Sequence, residues 1–118
     1  MYPASTRRMK RGDIVIVAES GGDYGKPRPA VIVQSDALPE TLPSVVICQM
    51  TSDLVEAPDL RVTIEPSGTN GLRTRSQIMA DKPVTVRRSR IGKIIGRLAA
   101  ADIHRLDIAL AFVVGLAD

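Results

Sequence analysis

Apolar residues along this chain come in short bursts separated by loop-forming residues, the pattern of a small β protein. The first burst, DIVIVAE at 13–19, is rich in β-branched residues and predicts a strand. PAVIVQS at 29–35 predicts a second, with proline at its first position, where a strand tolerates it. SVVICQM at 44–50 predicts a third, and LRVTIEP at 60–66 alternates apolar and polar residues as a half-buried strand does. SQIMA at 76–80 reads as a short strand, and KPVTVRR at 82–88 and IGKIIGRL at 91–98 as two more. SGGDYGKP, DALPETLP and SGTNGLRTR supply the main turn-rich connections.

The period changes at the end of the chain. Ile103, Leu106, Leu110 and Val113 recur at helical spacing and give one apolar stripe. Ala99 and Ala100 offer no side-chain acceptor for a cap, which leaves the start of this helix undefined by a few residues. Short strands followed by one terminal helix predict a mainly β fold, a small and strongly bent antiparallel barrel with a C-terminal helix.

At 118 residues the chain fits one domain with one modest core. Aromatics make up only 3% and there is no Trp, so the core falls to Val, Ile, Leu and Ala. That scarcity argues against a nucleic-acid binder that stacks bases on aromatic rings. The one cysteine, Cys48, excludes an internal disulfide and offers no metal-site spacing; within SVVICQM it reads as a buried, inert side chain. His104 has no nearby Cys, His or nucleophile in sequence and reads as structural, so neither a metal nor a cofactor is expected. No apolar run approaches the ~20 residues of a membrane helix. The N-terminus lacks the apolar core of a signal peptide, giving the expectation of a cytoplasmic protein without membrane association. Met9 opens MKRGDIVIV and is a second candidate start; residues 1–8 are then a flexible tail and 9–118 the single domain.

The net charge is +3, but eight of the 16 Lys and Arg residues lie between Arg73 and Arg97, where Asp81 is the only acid. Arg7, Arg8, Lys10 and Arg11 form a second basic group. Such clusters attract polyanions, or serve only as a solvated face.

One arginine is unusually constrained. In GKPRPAVIVQSD, Arg28 stands between Pro27 and Pro29 where the second strand begins. Each proline fixes its own φ and pushes the residue before it toward an extended conformation. If the first three strands are antiparallel neighbours, as short connections favour, one edge gathers the end of the first, the start of the second and the end of the third. That edge carries the loop 20–27 with Asp23, then Arg28, then Thr51, Ser52 and Asp53. If the strand through SQIMA also runs toward that edge, Asp81 arrives there as well. Plainer readings stand beside this one. Arg28 can ion-pair with Asp23 or Asp36 at the surface, Thr51 to Asp53 suit a turn or cap, and Asp81 suits a turn.

The chemistry such a set supports is phosphate chemistry without a metal. A guanidinium fork matches phosphate oxygens, and a threonine hydroxyl donates one more hydrogen bond. In RNA the neighbouring 2′-hydroxyl can serve as the nucleophile, expelling the 5′-oxygen and leaving a cyclic phosphate. Positioned cations then stabilise the charge that develops at phosphorus.

The order KRGDIVIV, RPAVIVQSD, QMTSD, SQIMADKPVTV and a terminal helix resembles the MazF/PemK family of toxins from bacterial toxin–antitoxin pairs, over nearly all of the chain from Met9. The resemblance implies an SH3-like barrel of the MazF/CcdB type and a homodimer. It also implies sequence-specific cleavage of single-stranded RNA to a 2′,3′-cyclic phosphate and a 5′-hydroxyl. Expected partners are a MazE-like antitoxin, and operator DNA only through the antitoxin complex. Carried over by position, Arg28 and Thr51 match the family's usual catalytic pair. Asp23 falls where many members have glutamate, and Asp81 matches an acidic residue of the Kid branch. Gly22 and Met79 depart from the pattern: members often have serine or histidine at the first, and Kid has a catalytic arginine at the second. Arginine is a poor general base near neutral pH, so Arg28 is assigned to transition-state stabilisation and proton donation, with Asp23 the candidate base. RNA binding is expected from Lys26, Ser52, Arg73, Arg75, Ser76, Lys82 and Arg87. Two rivals remain: a gyrase poison like the related CcdB group, disfavoured by the absence of Trp, and an inactive DNA- or antitoxin-binding homologue.

Overall fold

The computed structural model describes residues 8–18 and 26–117. Among them, six strands and one helix follow in the order β1 (Asp13–Val17), β2 (Arg28–Ile32), β3 (Ser44–Thr51), β4 (Arg61–Ile64), β5 (Ser76–Arg87), β6 (Ile91–Arg97) and α1 (Ala100–Val113). The strands form one antiparallel sheet in the order β4-β5-β3-β2-β1-β6. The mainly β architecture with a terminal helix is as the sequence pattern predicts.

Two apolar faces account for the alternation along the strands. Ile14, Val31, Cys48, Met50, Ile64 and Ile78 are buried on one face beneath Leu106 and Ala109 of α1. Val15, Val17, Ala30, Ile32, Val45 and Ile47 are buried on the other, where Met9, Val86, Ile91 and Ile94 pack against them. Both faces need cover, which the helix provides on one side and the bent end of the sheet on the other. The predicted helical stripe sits on the sheet through Leu106, with Ile103 and Leu110 packed beside it, and Ala99 indeed gives no side-chain cap.

The segments SQIMA and KPVTVRR, expected as two strands, are one twelve-residue strand, β5. Between Cys48/Pro83 and Met50/Ile78 its register against β3 slips, so the extra residues around Asp81 and Lys82 bulge and bend the strand instead of ending it. β4 pairs only with Ser76–Met79, so beyond that point the outer side of β5 is not held by β4, and Pro83 removes no hydrogen bond to that strand.

Backbone pairing does not close the sheet into a complete barrel, because the end strands β4 and β6 are not hydrogen-bonded neighbours. The loop 65–75 spans the gap. Arg97 N donates to Thr69 O at 2.9 Å, and Asn70 organises the loop by donating to Glu65 O at 2.8 Å and accepting from Ser67 N and Leu72 N at 3.0 Å. A Cβ at Gly96 would strike the Asn70 backbone, and one at Gly71, which has φ +72°, would strike the Ile95 carbonyl. These two glycines let the loop lie directly on β6.

Of the expected tail 1–8, only Arg8 lies within the described residues; its guanidinium donates to Asp36 O at 2.8 Å and pairs with Glu40 at 2.8 Å. No helix among the described residues is long and apolar enough to cross a membrane.

Candidate nucleic-acid site

β1 and β2 pair with Val17 opposite Arg28, and β2 and β3 with Ala30 opposite Gln49. Continuing the second register by two residues sets Arg28 level with Thr51. Cross-strand partners and alternate residues share a face, so Val17, Arg28, Gln49 and Thr51 all belong to the face that carries Val15, Ala30 and Ile47. Arg28 is exposed and Thr51 half-buried. Pro29 is itself held in the ladder opposite Ile16, so the backbone beside Arg28 is fixed by both proline geometry and pairing. Asp36 lies beyond the opposite end of β2, and its carboxylate accepts from Arg11 N at 2.8 Å.

The Thr51 hydroxyl oxygen accepts from Asp53 N at 3.0 Å, which forms a tight turn and leaves the hydroxyl proton available to donate. The loop that follows is held by Gln77, the β5 partner of Thr51. Gln77 is 5% exposed; its Oε1 accepts from Val55 N at 3.0 Å, and its Nε2 donates to Val55 O at 3.0 Å and to Thr63 Oγ1 at 3.1 Å. Sequence reading passed over Gln77. Its signal is a polar side chain with several hydrogen-bonding atoms inside an otherwise apolar strand.

Asp81 does not arrive where the conditional expectation put it. β5 starts opposite Thr51 and runs away from that edge, because antiparallel pairing with β3 brings Gln77, not Asp81, to the end of the strand. Asp81 sits at the bulge, where Arg61 Nε donates to its Oδ1 at 3.0 Å. Asp23 lies outside the described residues.

The remaining candidates divide. Lys26 and Ser52 are exposed next to Arg28 and Thr51 in sequence, and Arg73 is exposed in the loop leading to β5. Arg75, in the same loop, pairs with Glu65 at 2.7 Å. Ser76 is buried and its hydroxyl donates to Thr74 O at 3.0 Å, a structural bond. Lys82 is exposed at the bulge. Arg87 pairs with Ser44 at the far end of β3, yet the bend of β5 brings it to the rim of a cleft of about 350 Å³ that Val17 and Gln49 also line.

The residues 10–114 match the model of the family described as PemK-like, MazF-like toxin of type II toxin-antitoxin systems. The chain belongs to this toxin family. Over 109 residues it is 45% identical to a probable endoribonuclease MazF of Mycolicibacterium smegmatis, covering 92% of this chain and 99% of that one. It is 27% identical over 110 residues to endoribonuclease MazF9 of Mycobacterium tuberculosis, covering 86% and 92%. Among solved structures, it resembles a mycobacterial endoribonuclease in complex with its cognate antitoxin, with a TM-score of 0.78 at 23% identity over 94% of this chain and 99% of that one. The M. tuberculosis toxin MazF-mt6 superposes with a TM-score of 0.75 at 24% identity, covering 90% and 99%. These two likenesses establish the MazF-type fold, in which an incompletely closed sheet carries one terminal helix.

Proposed function

We propose that this MazF-family chain is an endoribonuclease toxin that cuts single-stranded RNA at a short sequence, without a metal ion, leaving a 2′,3′-cyclic phosphate and a 5′-hydroxyl. What supports the reading is the β2–β3 register, which, continued two residues beyond Ala30 and Gln49, brings Arg28 level with Thr51, in a chain closely related to a probable endoribonuclease MazF.

In this reading the 2′-oxygen attacks phosphorus, its proton passes to a base, and the bond from phosphorus to the 5′-oxygen breaks as that oxygen takes up a proton. Arg28 holds the non-bridging oxygens, stabilises the charge that builds on them and donates toward the leaving oxygen. Thr51 donates its hydroxyl proton to the same phosphate, oriented by the Asp53 amide. Asp23 is the proposed base. Asp81 acts at one remove, fixing the bend of β5 through Arg61. Lys26, Ser52, Arg73, Arg75, Lys82 and Arg87 guide the RNA backbone, and Ser76 supports the loop that presents Arg73 and Arg75.

The protein works in the cytoplasm as a homodimer restrained by a MazE-like antitoxin, and meets operator DNA only through that complex. Support comes from relatives: a mycobacterial endoribonuclease is solved with its cognate antitoxin, and MazF of Deinococcus radiodurans with MazE. The test is cleavage of a defined single-stranded RNA in EDTA by wild type and Arg28→Ala. Wild type cuts under these conditions, and the variant is slower by about 10²–10³, as when one transition-state donor is lost. Equal rates, or a requirement for added magnesium, would contradict the reading.

A further inference from the structure

The cleft beside the Arg28–Thr51 pair has a chemistry of its own. Val17, Ala18, Val84 and Val86 give it apolar walls, and Gln49, Arg87 and Arg90 supply the main side-chain polarity. At about 350 Å³ it falls within the roughly 300–1,000 Å³ of small-ligand pockets. Among the described residues its lining contains two arginines and no acid.

Three observations set it apart from the rest of the surface. First, the chain has three glutamines, and two are committed to the fold: Gln34 accepts from Val46 N at 3.2 Å, and Gln77 clamps Val55. Among the described residues the half-buried amide of Gln49 has no such partner, which leaves one acceptor and two donors for a ligand. Second, Arg8, Arg11, Arg61, Arg75, Arg97 and Arg105 all sit in ion pairs, whereas Arg87 and Arg90, like Arg73 and Arg88 elsewhere, form none among the described residues, and these two line one cleft together. Third, the cleft is in register with the proposed site. Gln49 precedes Thr51 by two residues on one face, about 7 Å along a strand, and Val17 is the cross-strand partner of Arg28. The backbone at the rim is fixed, because Ala18 N donates to Arg90 O at 3.1 Å.

We propose that Gln49, Arg87 and Arg90 form a base-reading subsite that takes one unstacked nucleobase of the RNA next to the scissile phosphate. The inference rests on the endoribonuclease reading and names a specificity determinant for it. Unpaired bases in single-stranded RNA are read by hydrogen bonds to their edges and by packing against flat or apolar groups, including guanidinium planes. The cleft offers both without an aromatic ring, which this chain largely lacks. The Gln49 amide pairs with a base edge that presents a donor and an acceptor side by side, as adenine does to glutamine elsewhere. Arg90 covers the base, and Arg87 meets a flanking phosphate. An acidic peptide would satisfy the two arginines and, through its backbone, the amide as well; the register of the cleft with Arg28 and Thr51 is what favours the RNA.

The test is the cleavage profile of the full chain on a pool of single-stranded RNA randomised around the cut, for wild type, Gln49→Ala, Gln49→Glu and Arg90→Gln, with folding checked by thermal melting. Gln49→Ala lowers the preference for one base at a single position by about tenfold or more and leaves the other positions as they were. Gln49→Glu, which keeps the shape but only accepts, shifts preference at that same position from an adenine-like edge toward cytosine, whose amino group donates to a carboxylate. Arg90→Gln removes the guanidinium plane that covers the base and raises KM. If wild type cuts RNA and the Gln49 variants keep its base preferences at every position, the subsite is overturned while the activity stands. If wild type cuts no RNA, the endoribonuclease reading falls and the subsite with it.

Discussion

The amide of Gln77 binds the backbone of Val55 from both sides, accepting from its N–H and donating to its carbonyl, each at 3.0 Å. Gln77 stands opposite Thr51 in the β3–β5 ladder, so one buried side chain ties the loop after Thr51 to the strand next to it. Replacing it removes three hydrogen bonds at once and leaves a gap where a 5%-exposed side chain stood. Gln77→Ala is expected to cost about 1–3 kcal/mol in stability and to speed hydrogen exchange at the Val55 amide. It should also lower kcat more than it raises KM, because Thr51 loses its fixed position. Unchanged exchange at Val55 would show that the clamp does not hold the loop.

The pairing of Arg61 with Asp81 separates a positioning role from a direct one. The two side chains are 14% and 23% exposed, so the pair is partly screened, and breaking it should cost about 1 kcal/mol. If Asp81 acts only by fixing the bend of β5, Asp81→Asn and Arg61→Met lose similar, modest factors in kcat/KM, and the double variant loses little more. A hundredfold loss in Asp81→Asn beside a nearly intact Arg61→Met would place Asp81 in the chemistry itself.

Burial pushes the Cys48 thiol from its usual 9.0 up to about 11, with nearby Asp81 adding to the rise and Arg11 partly offsetting it. Below pH 9 the thiol is neutral in both folded and unfolded chains, so its contribution to stability is complete there. Between about pH 9 and 11 the unfolded chain ionises and the folded one does not, so stability falls as pH rises through that window. Denaturant titrations should show wild type losing up to about 2 kcal/mol more than Cys48→Ala across it. Parallel pH profiles for the two proteins would contradict this account of the thiol.

Much of the architecture was legible because β-branched runs and helical spacing report local geometry directly. Short connections fixed the antiparallel order of β1, β2 and β3, and with it the meeting of Arg28 and Thr51 at one edge. The misreadings have a common cause. Lys82-Pro83 looks like a strand break, and only the β3 ladder shows that the strand bends through it. The partner of Asp81 is Arg61, twenty residues earlier in sequence, a distance no local pattern spans. Asn70 and Gly71 read as an ordinary loop, although they bring that loop onto β6 and bridge the gap between the end strands. Gln49 and Gln77 look alike in sequence; only the hydrogen bonds of one distinguish it from the other.

The central claim is that a 2′-hydroxyl of the substrate, positioned by Arg28 and Thr51, performs the attack. The most direct measurement compares two RNAs in EDTA that are identical except for a single 2′-deoxy sugar immediately 5′ to the scissile phosphate. The account predicts that the all-ribose RNA is cut to a 2′,3′-cyclic phosphate and a 5′-hydroxyl while the substituted RNA stays intact at that position. Cleavage of the substituted RNA at the same phosphate would contradict it.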